Sequence, residues 1–466
     1  MRLRGDVALE AQGNGELVAC FANGYSLGLG RFLGRFAATP DRLKSLRTGL
    51  PLASLAGKDR GRSGALDPLI RHLAQEGLLE FRLGHGRAGA DLAVIEPQLA
   101  DFWPQAAQLA ETDTLVLSRF AYLRRRANDM VLESPRAGAV VRICDPGIAA
   151  LLARLAMPQQ VRDLRRHDGF PGSPFLGLLL GSQILLKLDR TAAYGQRRSE
   201  GDDDLVLWDF HDLLFHARST EGRHTNPLGG TYLHAGSVPP LPAVRPRWPG
   251  EAIDLRKLSE TPLSPVGKIL RQRRSTRNFD NARPITLTEL ARFLDGCARI
   301  VAHSDLEPGG EDGGHAPRPY PSGGAGYELE LYLAVDKCDG LARGFYHYDA
   351  DAHALTAIPV AADALEAQLA AGGRAMGAPP PQVLITIAAR FGRISWKYSS
   401  VAYSLVLRDA GVLMQTLYLM ASDMGLGGCA IGLSNIERFA KMTGLAFHVE
   451  GPVGQFALGR ATAAPG

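Results

Sequence analysis

Between residues 190 and 263 the chain changes character, and that break constrains the fold more than any other feature. An acidic run from Glu200 to Asp204 gives way to GRHTNPLGG and then to PPLPAVRPRWPG. Clustered proline and glycine punctuate regular structure rather than propagate it. The expectation is a long ordered linker over 196–262 that separates two unlike halves. Within it, WDFHDLLFHARSTEGRH invites a metal reading. His211 and His216, however, are five apart rather than at the i,i+4 spacing of a helical zinc pair, and no thiolates flank them. No metal is expected, and the histidines and aromatic residues read as ties for the linker.

The 466 residues are 45% hydrophobic and 21% charged, an ordinary globular composition that excludes disordered and fibrous chains. Against 48 acidic residues stand 52 Lys and Arg, a net charge of +4. So small an excess does not make a dedicated nucleic-acid binder. The five cysteines (Cys20, Cys144, Cys297, Cys338, Cys429) are scattered and never form C-x-x-C, which fits free thiols and a cytoplasmic setting. No apolar h-region follows MRLRGDVALE, so no signal peptide is expected. The longest apolar stretch, Phe175 to Leu188, is broken by Gly177, Gly181, Ser182, Gln183 and Lys187, and falls short of the ~20 residues of a membrane span.

In the first half, Asp67-Pro68 reads as an N-cap and N1 proline for a helix carrying Leu69, Ile70 and Leu73 on one face. Gly77 closes that helix. The strand LLEFRL then alternates Leu79, Phe81 and Leu83 with Glu80 and Arg82. A second block repeats the ending: two strands joined by a turn at Pro135 to Gly138, a helix capped by Asp145-Pro146, then FLGLLLGSQILLKL. These repeats suggest two winged-helix-like modules, at 1–100 and 101–195. Arg124, Arg125 and Arg126 could touch phosphate, but the helices before the two wings carry few cations, so peptide contact outranks DNA.

The second half, 263–466, reads as one α+β domain. Ser264-Pro265 starts a helix, and Thr286 with Glu289 forms a capping box ahead of Leu287, Leu290, Ala291, Leu294 and Ala298. YELELYLAV alternates as a half-buried strand, and VLITIAARF suits a central one. A long helix from about Ser400 to Asp423 carries Tyr403, Val406, Leu407, Ala410, Met414, Leu417 and Met420 on one face, ended by Gly425.

Four clusters in this half could carry chemistry. Arg271 to Phe279 (RQRRSTRNF) would offer forked guanidiniums and hydroxyls to a phosphate dianion, or be a solvated basic helix end; on chemistry alone the two readings balance. Tyr320 to Gly326 (YPSGGAG) would let backbone amides approach a flat ligand, although alone an ordinary turn is the better reading. Neither phosphate-loop nor dinucleotide glycine spacing is present. Lys397 and Tyr398 in WKYSS stand ahead of the long helix and could act as base or acid, or could simply pack. GLGGCAIG, Gly425 to Gly432, could lie against a ring or be a tight turn, and Cys429 has no His-Asp partner nearby to make it a nucleophile.

In this order, RRSTRNF, RPYPSGGAGYELELY, GFYHYD, WKY with AYSLVLRDAG, and GLGGCAIG resemble the nitroreductase-like flavoproteins. More narrowly they resemble the SagB-type dehydrogenases, the azoline oxidases of peptide natural products. The resemblance implies an FMN domain in which Arg273, Arg274, Ser275 and Arg277 hold the phosphate and ribityl chain and Arg460 closes over the phosphate. It implies that Pro321, Ser322, Gly323, Gly324 and Ala325 face the isoalloxazine, with Ala430, Ile431 and Gly432 near its reactive nitrogen. Lys397 and Tyr398 match the Lys-Tyr pair used for proton abstraction. Gly326-Tyr327 departs from many relatives, which bears on substrate preference.

The implied reaction is dehydrogenation of a thiazoline or oxazoline to the azole, with oxygen reoxidising the flavin. The implied partners are an azoline-containing precursor peptide whose leader binds the N-terminal modules, a cyclodehydratase, and a second copy of the chain. Neither nucleic acid nor membrane is expected. The alternatives are an NAD(P)H-dependent nitro or quinone reductase, which the bare fold would support, and a non-catalytic peptide-binding scaffold.

Overall fold

The computed structural model describes residues 1–12, 15–22, 24, 26–32, 39–51, 68–84, 90–99, 102–167, 170–188, 198–224, 229–230, 232, 235–245, 247, 249, 251–256, 258, 261–302 and 314–462. The expected cap at Asp67 and parts of the expected linker lie outside them. The chain divides into two compact units, Met1–Arg218 with Gly222–Thr225, and Ser219–Glu221 with Asn226–Gly466. No helix among the described residues is long and apolar enough to cross a membrane.

The first unit is mostly sheet. Its strands are β1 (Arg2–Leu3), β2 (Val7–Ala11), β3 (Glu16–Phe21), β4 (Ser26–Arg31), β5 (Leu79–Gly84), β6 (Asp91–Pro97), β7 (Thr114–Leu117), β8 (Tyr122–Arg126), β9 (Asp129–Glu133), β10 (Ala139–Ile143), β11 (Gln159–Gln160) and β12 (Leu185–Leu188). Its helices are α1 (Pro40–Thr48), α2 (Pro68–Gln75), α3 (Pro146–Arg154), α4 (Val161–Leu164), α5 (Ser173–Gly181) and α6 (Phe210–Ser219). Three sheets form, in the orders β1-β5-β6-β10-β9-β8, β2-β3-β4 and β11-β7-β12.

The largest of these sheets passes through the boundary expected at residue 100. Ile95 of β6 faces Val141 of β10, and one apolar core continues from Met1 to Leu185. Leu92, Ala93, Val94 and Ile95 are all buried, so β6 is apolar on both faces and needs cover on both. Asp145 caps α3 as its sequence predicts, accepting from Gly147 N–H at 2.8 Å. Glu80, expected on the solvent side of its strand, is buried and paired with Arg2.

In the acidic run Asp203 and Asp204 are exposed, but its first residue is not. Glu200 is buried and accepts from Ser118 Oγ at 2.7 Å, Arg119 N–H at 2.6 Å and Arg136 Nη1 at 2.7 Å. Three donors on one buried carboxylate satisfy the charge that burial would otherwise leave bare. The start of the expected linker is helical: a 3-10 turn at Asp203–Leu207 precedes α6, in which His216 is fully buried and stacks on Trp208.

The second unit holds α7 (Pro265–Gln272), α8 (Leu287–Ala298), β13 (Leu329–Val335), β14 (Gly344–Asp349), β15 (Ala354–Ile358), α9 (Ala362–Met376), β16 (Val383–Arg390), α10 (Gly392–Ser395), α11 (Ala402–Asp423), β17 (Gly427–Ile431), α12 (Ile436–Thr443) and β18 (Glu450–Gly459). Its antiparallel sheet runs β15-β14-β13-β16-β18-β17. The VLITIAARF run is an interior strand, β16, as its apolar composition predicts. Strand β13 is buried on both faces rather than one, because Tyr332 and Ala334 join Leu365, Leu369 and Met376 of α9 in a core of their own.

Both predicted helix starts form as expected. Ser264 Oγ accepts from Gly267 N–H at 3.1 Å, and the Thr286–Glu289 capping box closes in both directions. The buried face of α8 is Leu290, Phe293, Leu294, Cys297 and Ala298. Leu287, read from its spacing as part of that face, is 37% exposed, because at the first helical position it lies at the rim of the packed surface.

Candidate active site

Helix α7 ends at Arg273, and the chain then runs extended past the mouth of β17. Thr276 N–H donates to Gly428 O at 2.8 Å. A Cβ on Gly427 would stand 2.7 Å from Thr276 Cγ2, so glycine there is what lets the two segments lie in contact. Tyr418, late in α11, joins them further: its hydroxyl accepts from Ala430 N–H at 2.8 Å and lies 2.8 Å from Ser275 Oγ. The Arg273 guanidinium sits over the Tyr418 ring, 4.8 Å from its centroid. Arg274 and Arg277 are exposed and, among the described residues, have no hydrogen bond or ion pair. Two forked donors therefore remain available beside a serine hydroxyl.

Arg460 follows β18 and is held differently. Its Nη2 pairs with both carboxylate oxygens of Glu289, at 2.9 and 2.7 Å, and its Nε donates to Arg283 O. That pairing holds the Glu289 carboxyl below its usual range. The fully buried Gln382 fixes the same corner. Its Oε1 accepts from Ile285 N–H and Arg460 N–H, each at 3.0 Å, while Nε2 donates to Asp280 O at 2.8 Å.

The second cluster forms around the turn ahead of β13. Gly323, Gly324 and Ala325 make one 3-10 turn, and Gly324 has a left-handed φ of 58° that glycine adopts without strain. The Tyr398 hydroxyl lies against Gly324 so closely that any Cβ there would collide with it. Lys397 Nζ is 5.9 Å from the centroid of the Tyr398 ring. Lys397 and Tyr398 close the single turn of α10, with Tyr398 N–H on Ile394 O; they are not in the first turn of α11, which begins at Ala402. Asp409 of α11 accepts from Gly323 N–H at 2.8 Å and Ser322 Oγ at 2.9 Å.

The structure thus brings the predicted residues into two groups. Arg273, Ser275 and Ala430 meet at Tyr418, while Ser322, Gly323 and Gly324 meet Asp409 and Tyr398. Asp409 and Tyr418 are nine residues apart on α11, about 13 Å along its axis at 1.5 Å per residue. Gly432 is exposed with open space beside it, whereas Ile431 is buried. A polar cavity of about 980 Å³ opens beside Gly326 and Tyr327, with Arg318, Glu330, His347 and Glu450 in its wall. His347 lies 3.3 Å from Glu330, which raises its pKa. Sequence reasoning missed Tyr418, Gln382, Glu289 as the partner of Arg460, Glu328 and Asp409. For Asp409 one signal existed: it stands among the apolar positions of a helix face, where a carboxylate needs donors.

An antiparallel α+β domain with free arginines toward one end of a buried helix and an exposed glycine turn beside a Lys-Tyr pair further along has the build of a small-molecule enzyme. Comparison with known proteins specifies which. Residues 270–460 match the nitroreductase family and residues 115–225 match the cyanobactin oxidase ThcOx family. A Methanocaldococcus jannaschii protein described as a nitroreductase is 32% identical over 164 residues, 35% of this chain and 76% of its own. The chain belongs to the nitroreductase family, and it is an oxidoreductase. Among solved structures, a nitroreductase from Ralstonia eutropha JMP134 has 23% identity over 44% of this chain and 87% of that one, with a TM-score of 0.35. The E. coli microcin synthetase McbBCD complex with truncated pro-MccB17 bound has 19% identity over 56% of this chain and 97% of that one, with a TM-score of 0.41.

Proposed function

We propose that the chain is an FMN-dependent azoline oxidase that converts thiazoline or oxazoline rings of a precursor peptide to azoles. The observation that carries this reading is the coexistence, in one chain, of the nitroreductase match at 270–460 and the cyanobactin oxidase match at 115–225. The first supplies a flavin-dependent fold. The second supplies the peptide context.

The residues fit the cofactor. Arg274 and Arg277 are exposed and, among the described residues, unpaired; they stand next to Ser275 or near it in sequence, and with its hydroxyl they are the donor set a phosphate dianion takes. Arg273 would add charge from its seat on Tyr418, and Arg460 would join by exchanging Glu289 for phosphate. The exposed Gly324, with Pro321, Ser322, Gly323 and Ala325 around it, leaves backbone open to a flat ring, and Ala430, Ile431 and Gly432 would border it. Bound flavin would accept a hydride from the ring carbon.

The protein's own contribution is alignment and a proton acceptor. Tyr398, braced against Gly324, holds its hydroxyl at the turn, and Lys397 stands beside its ring. One of the two would take the proton from the carbon adjacent to the hydride donor, and aromatisation of the product drives the step. The precursor's leader would bind the first unit, a cyclodehydratase would supply the azoline, and a second copy of the chain would complete the flavin site.

Incubation with an azoline-containing peptide tests this directly: mass spectrometry should show a loss of two hydrogens per ring. Protein that purifies without flavin absorbance, or a Lys397→Ala, Tyr398→Phe double variant that turns over at the parental rate, would refute it. A nicotinamide-dependent reductase remains the second reading, favoured by the Methanocaldococcus relative's description; rapid anaerobic bleaching of the flavin by NAD(P)H would select it.

A further inference from the structure

Two carboxyls lie under the Ser322–Gly326 turn. Glu328 is fully buried and Asp409 is 6% exposed. Both approach one hydroxyl: Ser322 Oγ is 2.9 Å from Asp409 Oδ2 and 3.2 Å from Glu328 Oε2, and it also accepts from Tyr327 N–H at 2.9 Å. A serine hydroxyl owns one hydrogen. If that hydrogen goes to Asp409, the contact with Glu328 is a bond only when Glu328 brings a proton of its own.

The donors sort the two groups the same way. Asp409 Oδ2 receives both Ser322 O–H and Gly323 N–H, as an anion would. Among the described residues Glu328 Oε1 is buried without any partner and Glu328 has no ion pair. A bare oxygen costs far less on a neutral acid than on a carboxylate. The charged and titratable groups around it do not alter this. Arg318 donates from Nη1 and Nη2 to Leu329 O, Tyr320 and Glu330, while its Nε is buried without a partner among the described residues. Arg390 stands 3.9 Å from Glu330, and Arg393 of α10 donates to the carbonyls of Gly314 and Gly326. The Tyr398 hydroxyl lies against Gly324, His315 Nδ1 is 3.2 Å from Ala325 O, and from α11 the facing group is Asp409 itself.

We propose that Glu328 and Asp409 share a single proton, and that this buried pair is a positioning device setting the shape of the Ser322–Gly326 turn and the stance of the Tyr398 hydroxyl against it. Assigning the turn to a flavin ring rests on the functional reading above; the proton count does not. Losing the shared proton puts two negative charges on one serine hydroxyl in a buried site. Repulsion and desolvation then release Ser322 and Gly323 from Asp409. Burial, with the Asp409 charge adding to it, pushes Glu328 up to about 7, so the change falls near neutrality.

The first experiment uses the full chain without flavin. Infrared difference spectra titrated across neutrality should show a carboxylic-acid C=O band that disappears near pH 7 in the parent and is missing in Glu328→Gln. A parent without that band overturns the proposal whatever ligand the protein takes. In the flavin-loaded chain, turnover should fall about tenfold per pH unit above that midpoint, and Glu328→Gln, neutral and still a donor to Ser322, should abolish the fall. An unchanged fall in Glu328→Gln overturns the positioning role. Deprotonation of a base at Lys397 or Tyr398 makes the rate rise with pH, the opposite sign. A chain that loads no flavin refutes the functional reading and leaves the infrared result to decide the pair alone.

Discussion

Gly324 carries the Tyr398 hydroxyl on its bare Cα: no side chain fits between them, and the φ of 58° is one that L side chains rarely adopt. Gly324→Ala therefore meets two obstacles at once, strain in the turn and a collision with the phenol. Tyr398 should be displaced, and turnover should drop far more than stability, which should lose about 1 kcal/mol. Thermal melts beside turnover assays check this; equal losses in both would mean that the turn is only structural.

Arg274 and Arg277 should be the two residues whose removal costs ligand and nothing else. Neither makes a hydrogen bond or ion pair among the described residues, so alanine at both leaves the fold without a lost contact. Each charge-assisted bond to phosphate is worth roughly 1.5–3 kcal/mol, which predicts a loss of flavin affinity of 100-fold or more for the pair. Equilibrium dialysis against FMN, with melting temperature as control, measures it. Unchanged affinity would move the phosphate elsewhere.

Gln382 should behave in the reverse manner. Its amide satisfies Ile285 N–H, Arg460 N–H and Asp280 O together from a fully buried position. Gln382→Ala strands two backbone donors and one acceptor, at roughly 1–3 kcal/mol for each group left unsatisfied. Denaturant unfolding should show a loss of several kcal/mol, and Arg460, its backbone then held only through Asp280 N–H on its carbonyl among the described residues, should become more accessible to guanidinium reagents.

Stability should bend with pH at both ends. Glu328 binds its proton more tightly folded than unfolded, so its contribution is complete below its usual value of 4.5 and is lost as pH rises through about 7. That shift corresponds to roughly 3 kcal/mol. Glu289 has the opposite sign: Arg460 holds its carboxyl low, so its contribution is present above the usual carboxylate range and is lost as pH falls below it. Melting temperatures across about pH 5 to 8 should decline on the alkaline side in the parent and decline less steeply in Glu328→Gln, the remaining slope belonging to His347 and Glu450, whose pKa values are also raised, by Glu330 and by burial respectively. A parallel decline in the variant would assign the slope to another group.

Local patterns were readable from the sequence because their causes are local. Ser264-Pro265, the Thr286–Glu289 box, Asp145-Pro146, and the apolar runs of β16 and α11 each depend on residues a few positions apart. The pairings that build the site are not of that kind. Glu328 meets Asp409 across 81 positions, and Arg460 meets Glu289 across 171, so no spacing rule could couple them. The first half shows the same divide. Its helix, glycine and strand endings were visible, whereas the pairing of β6 with β10, which makes one core of both modules, is a long-range event. The burial of Glu200 could not be read from the acidic run it opens, because its three donors arrive from Ser118, Arg119 and Arg136.

Strand β18 lies between β16 and β17 although it follows both in the sequence. Synthesis proceeds from the N-terminus, and domains complete themselves as they emerge. The first unit can therefore finish while the second still has β16 as an open, largely apolar edge and β17 with no neighbour to bond to. Such an edge invites pairing with other chains. The interval before residue 450 is translated is thus the period of greatest aggregation risk for this protein, and slowing the ribosome there should lower the soluble yield more than slowing it anywhere in the first unit.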